Sequence, residues 1–253
     1  MDCFMEKKKT IYLWAVLFWL LLWQLGSMAL NQEILLVSPL QVLVRLGALV
    51  LTADFYSSVL FSLGRIALGF FLALLLGTGL AWLSARFSPA GKLLAPFMLT
   101  VKSVPVASFI ILALIWFSSR NLSVLISFLM VLPVVYTNVL EGIRCLNPAM
   151  TEMARVFSIP VLRRIRCVYL PQIFPYFQAA ASVGLGLCWK AGIAAEVIGI
   201  PDGSIGERLQ QAKVYLDTPD LFAWTLVIVL LSLAFEKLVL ALLTRAAHLL
   251  ERV

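Results

Sequence analysis

The sequence predicts an all-α integral membrane protein. It has six transmembrane helices, cytoplasmic N- and C-termini, and a two-helix cytoplasmic loop between spans four and five. Three observations carry this. First, 62% of the 253 residues are hydrophobic and only 13% are charged, with mean hydropathy +1.00. Soluble domains run nearer 25% charged, and one aqueous core cannot hide so much apolar surface. Second, the apolar residues gather into six runs of roughly the 20 residues that a bilayer crossing needs. Third, Lys and Arg divide unevenly between alternate connecting segments, as they do when cytoplasmic loops retain positive charge.

The first run, Ile11–Leu30, follows Lys7, Lys8 and Lys9. A signal peptide shares that basic start. This run is long for a signal core, however, and no small-x-small cleavage site closes it, so it reads as a retained first span. Ser38–Leu51 opens with Ser-Pro, suited to the cap and first position of a helix. It is too short to cross and carries Arg45, which places it at the outer surface. Gly64–Leu83 is the second span, with Arg65 placed to snorkel at its outer edge, and Ser84–Lys92, with Pro89 and Gly91, is a turn. Leu93–Phe117 is the third span, containing Pro96, Lys102 and Pro105, and is expected to kink. After a short turn at Asn121, Leu122–Leu140 is the fourth. Ile173–Gly199 is the fifth, carrying Lys190 and Glu196. Ile200–Asp220 is a polar outer loop, Leu221–Leu243 the sixth span, and a tail with Arg245, His248 and Arg252 follows.

On this topology the inner segments hold Lys7, Lys8, Lys9, Arg86, Lys92, Arg144, Arg155, Arg163, Arg164, Arg166, Arg245 and Arg252, against Arg45, Arg120, Arg208 and Lys213 outside. Twelve against four puts Glu141–Pro171 in the cytoplasm. The same bias accounts for the net charge of +7 without a nucleic-acid partner. The cysteines (Cys3, Cys145, Cys167, Cys188) show no CxxC spacing and the single histidine is His248, so neither a metal site nor a disulfide framework is expected. The cysteines read as small apolar fillers. With no internal repeat, residues 1–253 form one transmembrane domain.

Glu141–Pro171 is the only long stretch that mixes polar and apolar residues. Met150, Met153, Ala154 and Phe157 recur at helical spacing, with Glu152 and Arg155 as an i,i+3 pair on the other side. Ser158-Ile159-Pro160 breaks this helix. Leu162, Ile165 and Val168/Tyr169 form a second stripe away from Arg163, Arg164 and Arg166, and Leu170-Pro171 ends it. Such a loop fits either anionic lipid or a soluble partner.

The spacing Glu152-x-Ala154-x(13)-Val168-x-Leu170-Pro171 resembles the EAA loop of ABC-importer permeases, E-A-A-x(3)-G-x(9)-I-x-L-P. Met153 stands where the second residue is usually Ala, and Ser158 where Gly is usual. A Cβ at 158 argues against a left-handed turn and leaves Pro160 to shape it. Ser38-Pro39, Ser62-Leu63-x-Arg65-x(3)-Gly69, Lys102-x-Val104-Pro105-x-Ala107 ahead of Trp116-Phe117, and Ala194-Ala195-Glu196 are similar to permeases of the nitrate/sulfonate/taurine subgroup, in the same order over about residues 35–243.

This resemblance implies that Glu152, Met153, Ala154, Ser158, Arg163, Arg164, Val168, Leu170 and Pro171 couple to a cytoplasmic ABC ATPase dimer. It also implies a second permease chain, a homodimer, and a periplasmic or lipid-anchored substrate-binding protein, all at a bacterial inner membrane. The chain itself is then neither an enzyme nor the holder of a cofactor, with ATP and Mg2+ on the partner. It contains no G-x(4)-G-K-[ST] phosphate loop.

A charge at membrane depth costs about 2.5–3.5 kcal/mol or more, so it faces a cavity or a partner. Lys102, Pro105, Lys190 and Glu196 are the candidate translocation-path residues, and a positive path suits a small anion. Lys190 and Glu196 are also open to structural roles, by pairing across helices or by anchoring one. Gly184 and Gly186 suit close helix packing. Asp202, Glu207, Asp217 and Asp220 belong to a solvated outer loop or to a binding-protein contact. The rival readings are a stand-alone ion-coupled carrier and a membrane enzyme. The first expects repeated halves, and the second a catalytic set such as H-E-x-x-H, which this sequence lacks.

Overall fold

A computed structural model describes residues 13–30, 32 and 36–251. Cys3, Lys7, Lys8, Lys9, the start of the first predicted span, the side chain of His248, and Arg252 lie outside the described residues. The described chain is helical: α1 (Leu13–Leu30), α2 (Pro39–Val50), α3 (Ala53–Arg86), α4 (Ser88–Ser103), α5 (Val106–Trp116), α6 (Ser119–Arg144), α7 (Pro148–Val156), α8 (Val161–Arg164), a π turn over Ile165–Tyr169, α9 (Leu170–Gly199), α10 (Ile205–Val214) and α11 (Thr218–Glu251).

Four of these are long and apolar enough to cross a membrane: Ala53–Arg86, Ser119–Arg144, Val161–Gly199 and Thr218–Ala247. The pair α4 and α5, bent by 108°, makes a fifth if counted as one span. The predicted first span is described only as α1 and does not join this group. Only 17% of the apolar window of α11 is buried within the chain, so most of its surface is left for lipid or another protein.

The core is α3, α6 and α9. α3 and α6 run the same way and α9 runs against both. Where they cross, small residues let the backbones close in. Gly77 of α3 faces the Val135 side chain of α6, and Gly184 of α9 faces Val131. Two points are tighter still: a Cβ on Gly69 would lie 2.5 Å from the Val124 carbonyl oxygen, and one on Gly192 would lie 2.6 Å from Ser127 Oγ and 2.7 Å from Ile66 Cγ1. Around these crossings Ile66, Phe70, Val131, Val135, Leu185 and Trp189 are buried in one apolar cluster. The Ser127 hydroxyl donates to the Cys188 carbonyl at 3.1 Å, and the Tyr136 hydroxyl to Ser84 Oγ at 3.0 Å. These bonds tie α6 to both neighbours.

α2 lies against the start of α11, as its length requires. Ser38 and Gln41 form a reciprocal capping box at its first turn, and Pro39 occupies the first helical position. Arg45 pairs with Asp220 at 2.9 Å and Asp217 at 3.7 Å, so these two acids serve to seat α2.

Several predicted boundaries move. The second span is longer by about three turns at its start, and the predicted turn 84–92 shrinks to Phe87, with Pro89 in the first turn of α4. The third span is not a kinked helix but two helices: Val104 is extended (φ −75°, ψ 132°), because the residue before proline is pushed out of the helical region. The polar loop 200–220 contains α10. Leu170-Pro171 does not stop a helix. The chain from Val161 runs through the π turn into α9 as one helical segment of 39 residues. Of the cysteines, Cys188 is a buried filler, whereas Cys145 and Cys167 are exposed.

Candidate functional site

The predicted coupling residues stand at one end of the bundle, where α6 ends and α9 begins. Asn147 caps α7 by accepting the Ala149 N–H at 2.9 Å, and Pro148 takes the first helical position. Gln172 accepts the Asn147 N–H at 2.8 Å and donates to the Val168 carbonyl at 2.7 Å. One amide side chain thus fixes α7 against the start of α9. No periodicity could have marked Gln172, because its partner lies 25 residues away.

At the other end of α7 the chain reverses through Ser158, which has φ +50°. Its N–H donates to the Arg155 carbonyl and the Ile159 N–H to the Ala154 carbonyl, both at 3.0 Å. These are the two bonds of a Schellman motif, with Ser158 in the left-handed position that favours glycine. The expectation that a side chain would keep residue 158 out of that region is therefore corrected: the two bonds hold a serine there. Ala154 is fully buried beneath the turn, and Met153 and Glu152 are exposed.

The predicted stripes are only partly turned inward. Ala154 and Val168 are buried, but Phe157 is 74% exposed and Leu162 82% exposed, with Val156 and Val161 beside them. An apolar patch on a polar, arginine-bearing segment is surface that a partner or a lipid would cover. Arg163 is exposed, while Arg164 is half-buried with an unpartnered Nε. Leu170 is at the margin of exposure and Pro171 is half-buried at the start of α9. Glu152 and Arg155 form no ion pair, contrary to the expected i,i+3 pairing.

The four path candidates do not converge. Lys102 ends α4 and lines a cavity of about 270 Å3 between α4 and α6, beside Tyr136 and Arg144. Pro105 sits at the 108° break and caps α5. Lys190 is exposed on α9 with no bonded partner among the described residues, one turn beyond Gly186, around which nothing lies within 4 Å. Gly186 therefore does not pack within the chain as Gly184 does.

Glu196 is 0% exposed. Its Oε2 accepts the Ser62 hydroxyl at 2.6 Å and the Gly206 N–H at 3.4 Å, and Ser62 Oγ accepts the Ile205 N–H at 3.0 Å. The carboxylate so joins α3, α9 and the first turn of α10, where negative charge suits the helix N-terminus. Gly206 has to be glycine, because a Cβ there would fall 2.3 Å from Glu196 Cβ. Ser62 was visible in the sequence only as part of a resemblance, with no signal of what it binds.

Nearby, the Arg65 guanidinium donates to Asn121 Oδ1 at 2.8 Å and to the Arg120 carbonyl, and lies 4.4 Å over the Phe61 ring. It staples α3 to the start of α6 rather than only snorkelling. Phe61, Arg65 and Asn121 line a cavity of about 820 Å3 whose walls include Leu68, Leu72 and Phe128. None of the predicted path residues lines it.

Comparison with known proteins adds the following. The family model described as binding-protein-dependent transport system inner membrane component matches residues 73–248. A Brucella abortus protein named as an ABC transporter permease is 28% identical over 224 residues, 87% of this chain and 88% of its own length. A Bacillus subtilis protein named as an aliphatic sulfonates transport permease is 28% identical over 205 residues, 80% of this chain and 74% of its own. The taurine transport system permease of Escherichia coli is 26% identical over 221 residues, 85% and 80%. A crystal structure of an amino acid ABC transporter superposes with TM-score 0.53 at 18% identity, covering 79% of this chain and 93% of that one. At that identity the last likeness concerns the fold.

Proposed function

We propose a function on one premise: this chain belongs to the family of binding-protein-dependent transport system inner membrane components. It is an ABC transporter permease, a multi-pass helical membrane protein and not itself an enzyme. In the proposal it forms the translocation path of a bacterial importer for a small oxyanion-bearing solute of the nitrate, sulfonate or taurine kind. A binding protein outside the membrane delivers the solute, and a cytoplasmic ATPase dimer drives the cycle, holding ATP and Mg2+. The described spans and α1 together make the six crossings, with α7 and α8 on the cytoplasmic side.

One observation carries the coupling role. The EAA-like spacing coincides with a turn closed by two backbone bonds, and Phe157, Val161 and Leu162 beside that turn are exposed. Arginines 163, 164 and 166 follow these residues in sequence. A rigid knob of this kind suits a groove on a moving partner. A second copy of the chain suits the other open surface, the face of α9 with Val183, Gly186 and Lys190.

The test is reconstitution with a partner ABC ATPase and an extracytoplasmic binding protein. Glu152→Ala, and separately charge reversal at Arg163 and Arg164, should weaken ATPase docking and lower ATP-driven uptake. Unaltered docking and uptake in both would remove the coupling assignment. ATP-independent uptake driven by an ion gradient would replace the importer reading with the carrier.

A further inference from the structure

We propose that the space between the start of α4 and the end of α6 binds a phosphate- or sulfonate-type oxyanion, presented by an anionic phospholipid headgroup or by a free anion. A cavity of about 700 Å3 lies there, lined by Arg86, Lys92, Arg144, Ser84 and Ser88 among others. That size falls within the roughly 300–1,000 Å3 of small-molecule sites. It shares Gly91, Ala95 and Arg144 with the cavity of about 270 Å3 that Lys102 lines. Four cations therefore border two joined spaces.

Among the described residues, no aspartate or glutamate lines either cavity. None of the four cations takes part in an ion pair among the described residues, whose pairs are those of Arg45 and Arg208. Among the described residues Arg86 lies 5.2 Å from the Phe87 ring and makes no ion pair. The nearest acid in sequence, Glu141, instead accepts the Cys145 thiol at 3.4 Å. α4, a helix of 16 residues, opens onto the same space with no side chain capping its N-terminus.

Like charges gathered around a cleft repel one another unless an anion joins them, and such clefts concentrate anions. Two guanidinium forks and an ammonium supply the directed donors that a tetrahedral oxyanion accepts. Basic pockets between membrane helices suit anionic headgroups for this reason. The site is distinct from the coupling turn and does not depend on which solute is carried.

The test uses the full-length chain in phosphatidylcholine nanodiscs. Phosphatidylglycerol is added in one arm, with retained lipid counted by native mass spectrometry. Inorganic phosphate and methanesulfonate are added in two others, with binding read from the rise in unfolding temperature. The triple variant R86Q/K92Q/R144Q should bind about tenfold or more weakly, as loss of charge-assisted bonds requires, while R245Q on α11 should bind as wild type does. Retention of phosphatidylglycerol alone assigns a lipid headgroup, and binding of the free anions as well assigns an open anion site. Either supports the proposal. If the triple variant fails to fold, R144Q alone carries the test, because Arg144 borders both cavities. Binding by the variants within about twofold of wild type, an equal loss in R245Q, or no binding of any probe by wild type overturns it.

Discussion

Ser158 offers the sharpest single-residue test, because its side chain is exposed and its cost lies in the backbone alone. It sits at φ +50° in a turn held by the Ser158 and Ile159 N–H groups. A left-handed residue with a Cβ costs about 1–2 kcal/mol. Glycine removes that cost but adds about 0.5–1 kcal/mol of unfolded-chain entropy. Ser158→Gly should therefore tighten the turn by about 0.5–1 kcal/mol, which slows local opening roughly two- to fivefold. Ser158→Val should loosen it, because a β-branched residue is a steric outlier there. Ser158→Ala should change little, since the exposed serine hydroxyl makes no hydrogen bond among the described residues, and it controls for loss of the oxygen. Hydrogen exchange of the amides of residues 157–159 in the intact protein reads these effects directly. Unslowed exchange in Ser158→Gly, or wild-type protection in Ser158→Val, would refute the account of the turn.

Other substitutions separate buried joints from open faces. Glu196→Ala strands the Ser62 hydroxyl and the Gly206 N–H in a dry site, so unfolding in detergent should fall by about 1–3 kcal/mol for each group left unpaired. Glu196→Gln, which keeps an acceptor, should lose less in the same melt. Gly192→Ala drives a methyl against Ser127 and Ile66, an overpacking of about 1–3 kcal/mol, whereas Gly186→Ala should melt with wild type because nothing lies within 4 Å of it. Should Gly186→Leu nevertheless alter the oligomer seen by cross-linking, a second copy covers that face. Lys190→Met should lower anion uptake by proteoliposomes while leaving assembly intact, and unchanged uptake kinetics would take Lys190 off the path.

Much of the architecture was legible because apolar run length and charge bias act over twenty residues at a time. What escaped depended on single joints. Glu196 could be seen as an expensive charge, but its partner Ser62 is 134 residues away, and no local pattern records such a bond. The same holds for Gln172 and Asn147, and for the pairing of Arg45 with Asp217 and Asp220. The serine in the left-handed turn was legible as a departure from glycine, yet a lone Cβ penalty of about 1–2 kcal/mol is small beside two backbone bonds and the burial of Ala154.

The two prolines show why one residue type can mean opposite things. Pro105 follows a residue that can relax into extended backbone, and the helix breaks there by 108°. Pro171 follows Leu170 held helical at φ −61°, ψ −45°, with the Leu170 N–H donating to the Ile165 carbonyl across the π turn. Proline costs little where it opens a new hydrogen-bond register, so the helix continues. The mechanical consequence divides the bundle. A push applied at Arg163 and Arg164 acts on a helical segment of about 58 Å that also carries Lys190 and Glu196. A push applied at the start of α4 meets a joint at Val104 before it can reach α5. Of these two routes into the bundle, the one through α9 is continuous, and the π turn is the point at which it can flex.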